Sequence, residues 1–88
     1  MLTIKTTPRF ERMLTRFVKT HPELREKTLT LMKRLAKNPR DSRNKTHGLT
    51  GTLRGCLAAS ISFHYRIIFV IVEDELWLLS VGSHDEVY

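Results

Sequence analysis

The stretch YRIIFVIV from Tyr65 to Val72, the acidic Glu73-Asp74-Glu75, and then LWLLSV from Leu76 to Val81 settle the fold class. The first run is apolar at nearly every position, as expected of a central strand covered on both faces. The acidic triplet is a polar turn, so the two runs form a hairpin. Upstream of them, Leu53 to Phe63 has the composition of a third strand, which completes an antiparallel meander.

Before the meander, Arg40 to Thr50 is polar and basic and reads as a surface loop. Two helices precede it. Phe10, Met13, Leu14, Phe17 and Val18 recur at helical spacing, while Arg9, Arg12, Arg16 and Lys19 occupy the other faces. Thr7-Pro8 supplies a cap and a first-turn proline. Leu24, Thr28, Leu31, Met32 and Leu35 make the second stripe, ending near Lys37 because Pro39 disfavours a helical Asn38. Between the helices, Thr20 and Glu23 are spaced as a capping box, and so short a link implies an antiparallel helix hairpin. Leu2 to Lys5 reads as an N-terminal strand. The expected fold is α+β: N-terminal strand, antiparallel helix hairpin and three-stranded antiparallel meander, with the helices packed on one face of the sheet.

The chain of 88 residues suits a single domain over 1–88. Its 41% apolar and 27% charged residues exclude a disordered chain, and the longest apolar run, Ile67 to Val72, is far short of the ~20 residues that span a bilayer. Met1 to Thr20 lacks the continuous apolar stretch of a secretory signal, and the expected location is cytoplasmic. The lone Cys56 forms no internal disulfide, consistent with a reducing compartment, and reads as a small core residue. A formal charge of +6 favours anionic partners: nucleic acid, an acidic membrane face or an acidic protein. Solubility alone explains the sign less well.

With helices on one face, the other is free to hold polar groups. Ser60, Ser62, His64 and Arg66 share one parity, His47 lies in the basic loop, His84 follows Gly82-Ser83, and Tyr88 is the last residue. His47, His64 and His84 lack the ligand spacing of zinc motifs, so no metal or other cofactor is expected. The serines sit in no nucleophile elbow, and Gly48, Gly51 and Gly55 fit no phosphate-loop fingerprint. Cleavage of RNA needs only such residue types: a base for the 2′-hydroxyl, an acid for the departing 5′-oxygen and a cation for the phosphorus oxygens. Histidine serves either proton transfer near neutrality, and the arginine fork pairs with phosphate at two points.

The segments HGLTGTLRG from His47, HYRIIFVI from His64 and LLSVGSHDEVY at the end resemble the C-terminal half of RelE/ParE toxins, especially the YafQ-like branch. The order of strands and helices is similar too, so the resemblance spans nearly the whole chain. It implies the toxin of a type II toxin–antitoxin system, an endoribonuclease that cuts messenger RNA in the A site of the 70S ribosome. It further implies a cognate antitoxin that holds the toxin inactive in a hetero-oligomer. His47 falls on a histidine of the YafQ-like pattern, His84 on the histidine of its G-[TS]-H ending, and Tyr88 on its terminal aromatic. Tyr65 falls on an aromatic position, and Arg66 matches the arginine of many RelE-like members. Ser60 stands where the branch has another catalytic histidine and His64 where it has an aspartate, so His64 is a candidate to replace one of them.

The catalytic candidates are thus His84, His64, His47, Arg66 and Tyr88, and the RNA-binding candidates Arg54, Lys45, Arg43 and Tyr65. An acidic antitoxin is expected to cover Arg40, Arg43, Lys45 and Arg54. The alternative within the same fold is a ParE-like toxin that inhibits DNA gyrase without cutting RNA. A basic RNA-binding module without activity is a third reading. The histidine set favours the metal-independent ribonuclease, because acid–base chemistry needs titrating groups.

Overall fold

The computed structural model describes residues 1–88, and all of its strands belong to one five-stranded sheet. β1 (Thr3–Thr6) leads into α1 (Pro8–Thr20) and α2 (Arg25–Lys37). The remaining strands are β2 (His47–Gly48), β3 (Leu57–Ser60), β4 (Tyr65–Val72) and β5 (Glu75–Ser83), and a final turn of helix, α3, spans His84–Val87. The sheet order is β1-β5-β4-β3-β2. β1 runs parallel to β5, and the other neighbours are antiparallel. The α+β meander is as expected; β2 and α3 are additions to it.

Thr7 starts α1 in the way its chemistry allows. Its backbone is extended, its hydroxyl accepts the Phe10 N–H at 3.1 Å, and Pro8 occupies the first turn, where its missing N–H costs nothing. Phe10, Met13 and Phe17 from α1 and Leu31, Leu35 and Ala36 from α2 join the strand residues in one core. The link between the helices differs from the expected capping box. The Thr20 hydroxyl donates back to the Arg16 carbonyl at 2.9 Å, so it does not cap the next turn. Pro22–Leu24 instead forms a single 3₁₀ turn, and α2 begins without a side-chain cap.

The strand expected over Leu53 to Phe63 contracts to Leu57–Ser60. Local hydrogen bonds replace the ladder at both ends. Gly51–Leu53 closes a 3₁₀ turn and the Cys56 N–H bonds to the Leu53 carbonyl. At the far end the Ser60 hydroxyl donates to the Ser62 carbonyl at 2.8 Å, while the Ile61 and Ser62 amides both reach the Tyr65 carbonyl. Ser62 and His64 therefore lie in a turn, and only Ser60 and Arg66 of the expected same-parity set face each other in register.

Ile67, Ile68 and Phe69 of β4 are each at most 1% exposed. The register between β4 and β5 shifts at Ile68/Phe69: Phe69 pairs with Leu78 but Ile68 with Ser80, leaving Leu79 as the extra residue. An extra residue reverses which alternate side chains share a face. Gly82, rather than its neighbours, is thereby set opposite Arg66. No helix is long and apolar enough to cross a membrane.

Asn44 anchors the basic loop to α2. It is fully buried, its amide donates to the Asn38 carbonyl at 3.1 Å, and its oxygen accepts the Arg34 Nε–H at 2.6 Å. Replacing Asn44 by Ala leaves both partners without their bonds in a partly buried setting, at a cost of roughly 1–3 kcal/mol. The denaturation midpoint should fall accordingly with an unchanged slope; an unaltered midpoint would show that the loop is held by something else.

Candidate functional site

Gly82 and Ser83 bring β5 to an end at the point where the polar candidates gather. Ser83 is extended, its hydroxyl accepts the Glu86 N–H at 3.4 Å, and the Glu86 carboxylate accepts the Ser83 N–H at 2.9 Å. This reciprocal capping box starts α3 and fixes His84 and Tyr88 at its two ends. The spacing of Ser83 and Glu86 carries the same signature that Thr20 and Glu23 do, and here the structure uses it. Gly82 has φ 152°, and a Cβ on it would sit 2.9 Å from Glu86 Oε1, so the box closes over a position that only glycine fills without strain. Backbone and hydroxyl hydrogen bonds from Ser83 hold the Glu86 carboxyl below its ordinary range.

His47, Arg66, His84 and Tyr88 line one cleft of about 490 Å³, walled on its other side by the turn from Gly48 to Leu53. The His84 and Tyr88 rings meet nearly edge-on at 4.3 Å between centroids, and the Arg66 guanidinium lies 5.8 Å from the Tyr88 ring centre. That contact orients the guanidinium without neutralising it. Arg66 Nε is buried with no hydrogen-bond partner, while His47, His84 and Tyr88 are exposed. A buried donor in this condition is uncommon in folded proteins. The cleft therefore offers a fixed cation and two accessible imidazoles, a set suited to an anionic substrate and to proton transfer.

The other candidates lie elsewhere. His64 is exposed in the turn after Phe63, its ring beside those of Phe63 and Tyr65, and is not among the lining residues of the cleft. Tyr65 packs against Phe17 and His21 at 5.2 and 4.6 Å between ring centres, which turns it toward the helices. Its neighbour Arg66 points the opposite way, as alternation along a strand requires. Arg43 is tied to Asp41 through two side-chain bonds, the shorter 2.7 Å, and these bonds lower the Asp41 carboxyl to about 2. Lys45 is exposed at positive φ, and Arg54 is exposed just beyond the turn that walls the cleft. No group of three or more His, Cys, Asp or Glu side chains is placed to hold a metal ion.

Residues 2–88 match the family described as "Bacterial toxin of type II toxin-antitoxin system, YafQ". No curated protein sequence matches the chain. Among solved structures, a metal-bound toxin from Helicobacter pylori is 28% identical, with a TM-score of 0.84 over 100% of both chains. The toxin in the E. coli DinJ-YafQ complex is 20% identical, with a TM-score of 0.84 over 100% of this chain and 99% of that one. A chain of the YoeB-YefM complex from Staphylococcus aureus is 19% identical, with a TM-score of 0.79 over 96% and 98%. The latter two likenesses speak to the fold alone.

Because the folded Glu86 carboxyl titrates below its unfolded range, its contribution is complete above that range and is lost as pH falls through the lowered value. The protection of the Ser83 amide against exchange, measured relative to the unfolded chain at the same pH, should therefore fall in acid. Glu86→Gln should remove that pH dependence, and Gly82→Ala should raise exchange at all pH values. Ser83 protection that is unchanged by acid in the unmodified chain would mean that the box does not hold the terminal turn.

Proposed function

This chain belongs to the YafQ family of bacterial type II toxin–antitoxin toxins, and we propose that it is a metal-independent endoribonuclease cutting messenger RNA on the ribosome. The observation that carries this reading is a single cleft lined by Arg66 and Tyr88 together with the accessible imidazoles of His47 and His84. A phosphate seated there meets the Arg66 guanidinium. One imidazole takes the proton of the 2′-hydroxyl as that oxygen bonds to phosphorus, and the other protonates the 5′-oxygen as its bond to phosphorus breaks. The products are a 2′,3′-cyclic phosphate and a 5′-hydroxyl. Arg66 stabilises the charge that builds on the phosphorus oxygens, which a cation held in place does without reorganising. Tyr88 orients Arg66 and flanks His84. His64, in the turn, takes no part in the step on this reading.

Proton transfer by histidine needs no metal, so activity should survive chelation under conditions that keep ribosomes intact. The location on this reading is the cytoplasm. The partner is an antitoxin in a hetero-oligomer, as the toxin-antitoxin complex of a similarly folded toxin suggests; the formal charge of +6 favours an acidic one. It covers the basic surface of Arg40, Lys45 and Arg54, together with Arg43 where an antitoxin acid displaces Asp41. Association driven by that charge slows as salt rises. A rate constant equal at low and high ionic strength would count against this surface.

Replacing His84 by Ala should lower cleavage on the order of 10²- to 10⁴-fold, the usual worth of a general acid or base. The exposed position of His84 predicts a stability change within about 0.5 kcal/mol. Arg66→Lys should also be impaired, because a lysine cannot make the two-point contact with phosphate. Full cleavage by folded His84→Ala would refute the assignment; broken DNA with uncut transcripts would refute the ribonuclease reading.

A further inference from the structure

β2 pairs only with Leu57 and Ala58, so the outer edge of β3 beyond Ala58 has no strand beside it. A groove of about 660 Å³ runs there between β3 and α2, lined by Lys27, Arg34, Lys45 and Phe63 among others. His47 and Arg66 line both this groove and the cleft, so the two adjoin. Phe63 is 89% exposed at the tip of the β3–β4 turn. A large apolar ring held in water without cover is a feature that calls for an occupant.

The charges of the groove are uncommitted. Lys27, Arg34, Lys45 and Arg66 form no ion pair, whereas Arg43 is neutralised by Asp41, and Glu26 leans toward Arg25 at 3.9 Å. Arg34 is moreover pre-positioned. Buried Asn44 holds its Nε at 2.6 Å, an arrangement that limits the guanidinium's freedom before anything binds. Free cations tracking a groove beside an exposed aromatic ring form the combination that binds single-stranded nucleic acid, with charge taking the backbone and the ring taking a base.

We propose that this groove is a second RNA subsite: single-stranded RNA flanking the cut lies along the free edge of β3, with one base stacked on Phe63 and its phosphates held by Lys27, Arg34 and Lys45. The subsite rests on the ribonuclease reading of the cleft and adds the path by which the strand leaves it. Stacking on an aromatic ring tolerates any base, so the groove contributes affinity and registration rather than sequence choice.

The test uses the full chain and oligouridines methylated at every 2′-oxygen, which bind but cannot be cut. Titration of an octamer by fluorescence anisotropy should show an affinity loss of about 10-fold in Phe63→Ala, with Phe63→Trp retaining most of the binding. Lys27→Ala should weaken the octamer and lower its salt dependence by about one phosphate contact. A dinucleotide, too short to leave the cleft, should bind all variants alike. Octamer binding unchanged in Phe63→Ala and Lys27→Ala overturns the subsite, and if those variants instead lose antitoxin affinity the groove is a protein-binding surface. Failure of the unmodified chain to bind the octamer overturns it as well. Phe63 and Lys27 are exposed, so unfolding does not obscure the result. Octamer binding by a chain that leaves ribosome-bound messenger RNA uncut refutes the ribonuclease reading and leaves the groove standing as an RNA-binding surface.

Discussion

Ile67, Ile68 and Phe69 of the central strand are removed from water almost completely, and a strand in that condition needs apolar cover on both faces. The helices supply Phe10, Met13, Phe17, Leu31 and Leu35 to the core, and Leu49 and Cys56 of the segment before β3 pack against it. Burying these side chains is worth roughly 1.5–3 kcal/mol each, against roughly 0.5–1.5 kcal/mol for an ordinary hydrogen bond. Arg66 sits at the margin of this buried run, next to Ile67. Its stem is held by the sheet while its guanidinium reaches the cleft. The position of the candidate cation is thus a consequence of the core, and the histidines are brought to it by more local means.

Those local means are the bulge at Leu79 and the capping box beyond it. The bulge sets Gly82 opposite Arg66, and the reciprocal Ser83–Glu86 bonds turn the chain so that His84 and Tyr88 return over the same place. His47 arrives from the other side on the short β2. Charge is arranged with similar economy. Asp41 neutralises Arg43, while Arg34, Lys27, Lys45 and Arg66 remain unpaired around the groove and the cleft that adjoins it. Such a surface draws a polyanion and also favours an acidic protein, so one set of cations serves both substrate and inhibitor.

The stripes of α1 and α2 and the apolar run of β4 are legible in the sequence because burial imposes a period on side chains. The turns are less legible, since local hydrogen bonds compete with the strand pattern. Thr20-Glu23 and Ser83-Glu86 carry the same spacing, yet only the second forms a box; Thr20 lies within α1 and bonds to its own preceding turn. The parity of Ser60, Ser62, His64 and Arg66 assumes an unbroken strand, and the turn at Ser62 separates His64 from the rest. Tyr65 reads from the sequence as an RNA-binding residue, but alternation turns it toward Phe17 and His21. The groove beside Phe63 has no sequence signal, because it depends on where β2 ends.

One chemical step underlies the functional assignment: attack by the 2′-hydroxyl in the cleft, with departure of the 5′-oxygen. It can be read directly from the new RNA ends formed when the purified chain acts on ribosome-bound messenger RNA. The expected fragments end in 2′,3′-cyclic phosphate, or in the 3′-phosphate from its opening, each followed by a fragment with a 5′-hydroxyl. Fragments bearing a 5′-phosphate would rule this step out, since they require attack by an external nucleophile and departure of the 3′-oxygen.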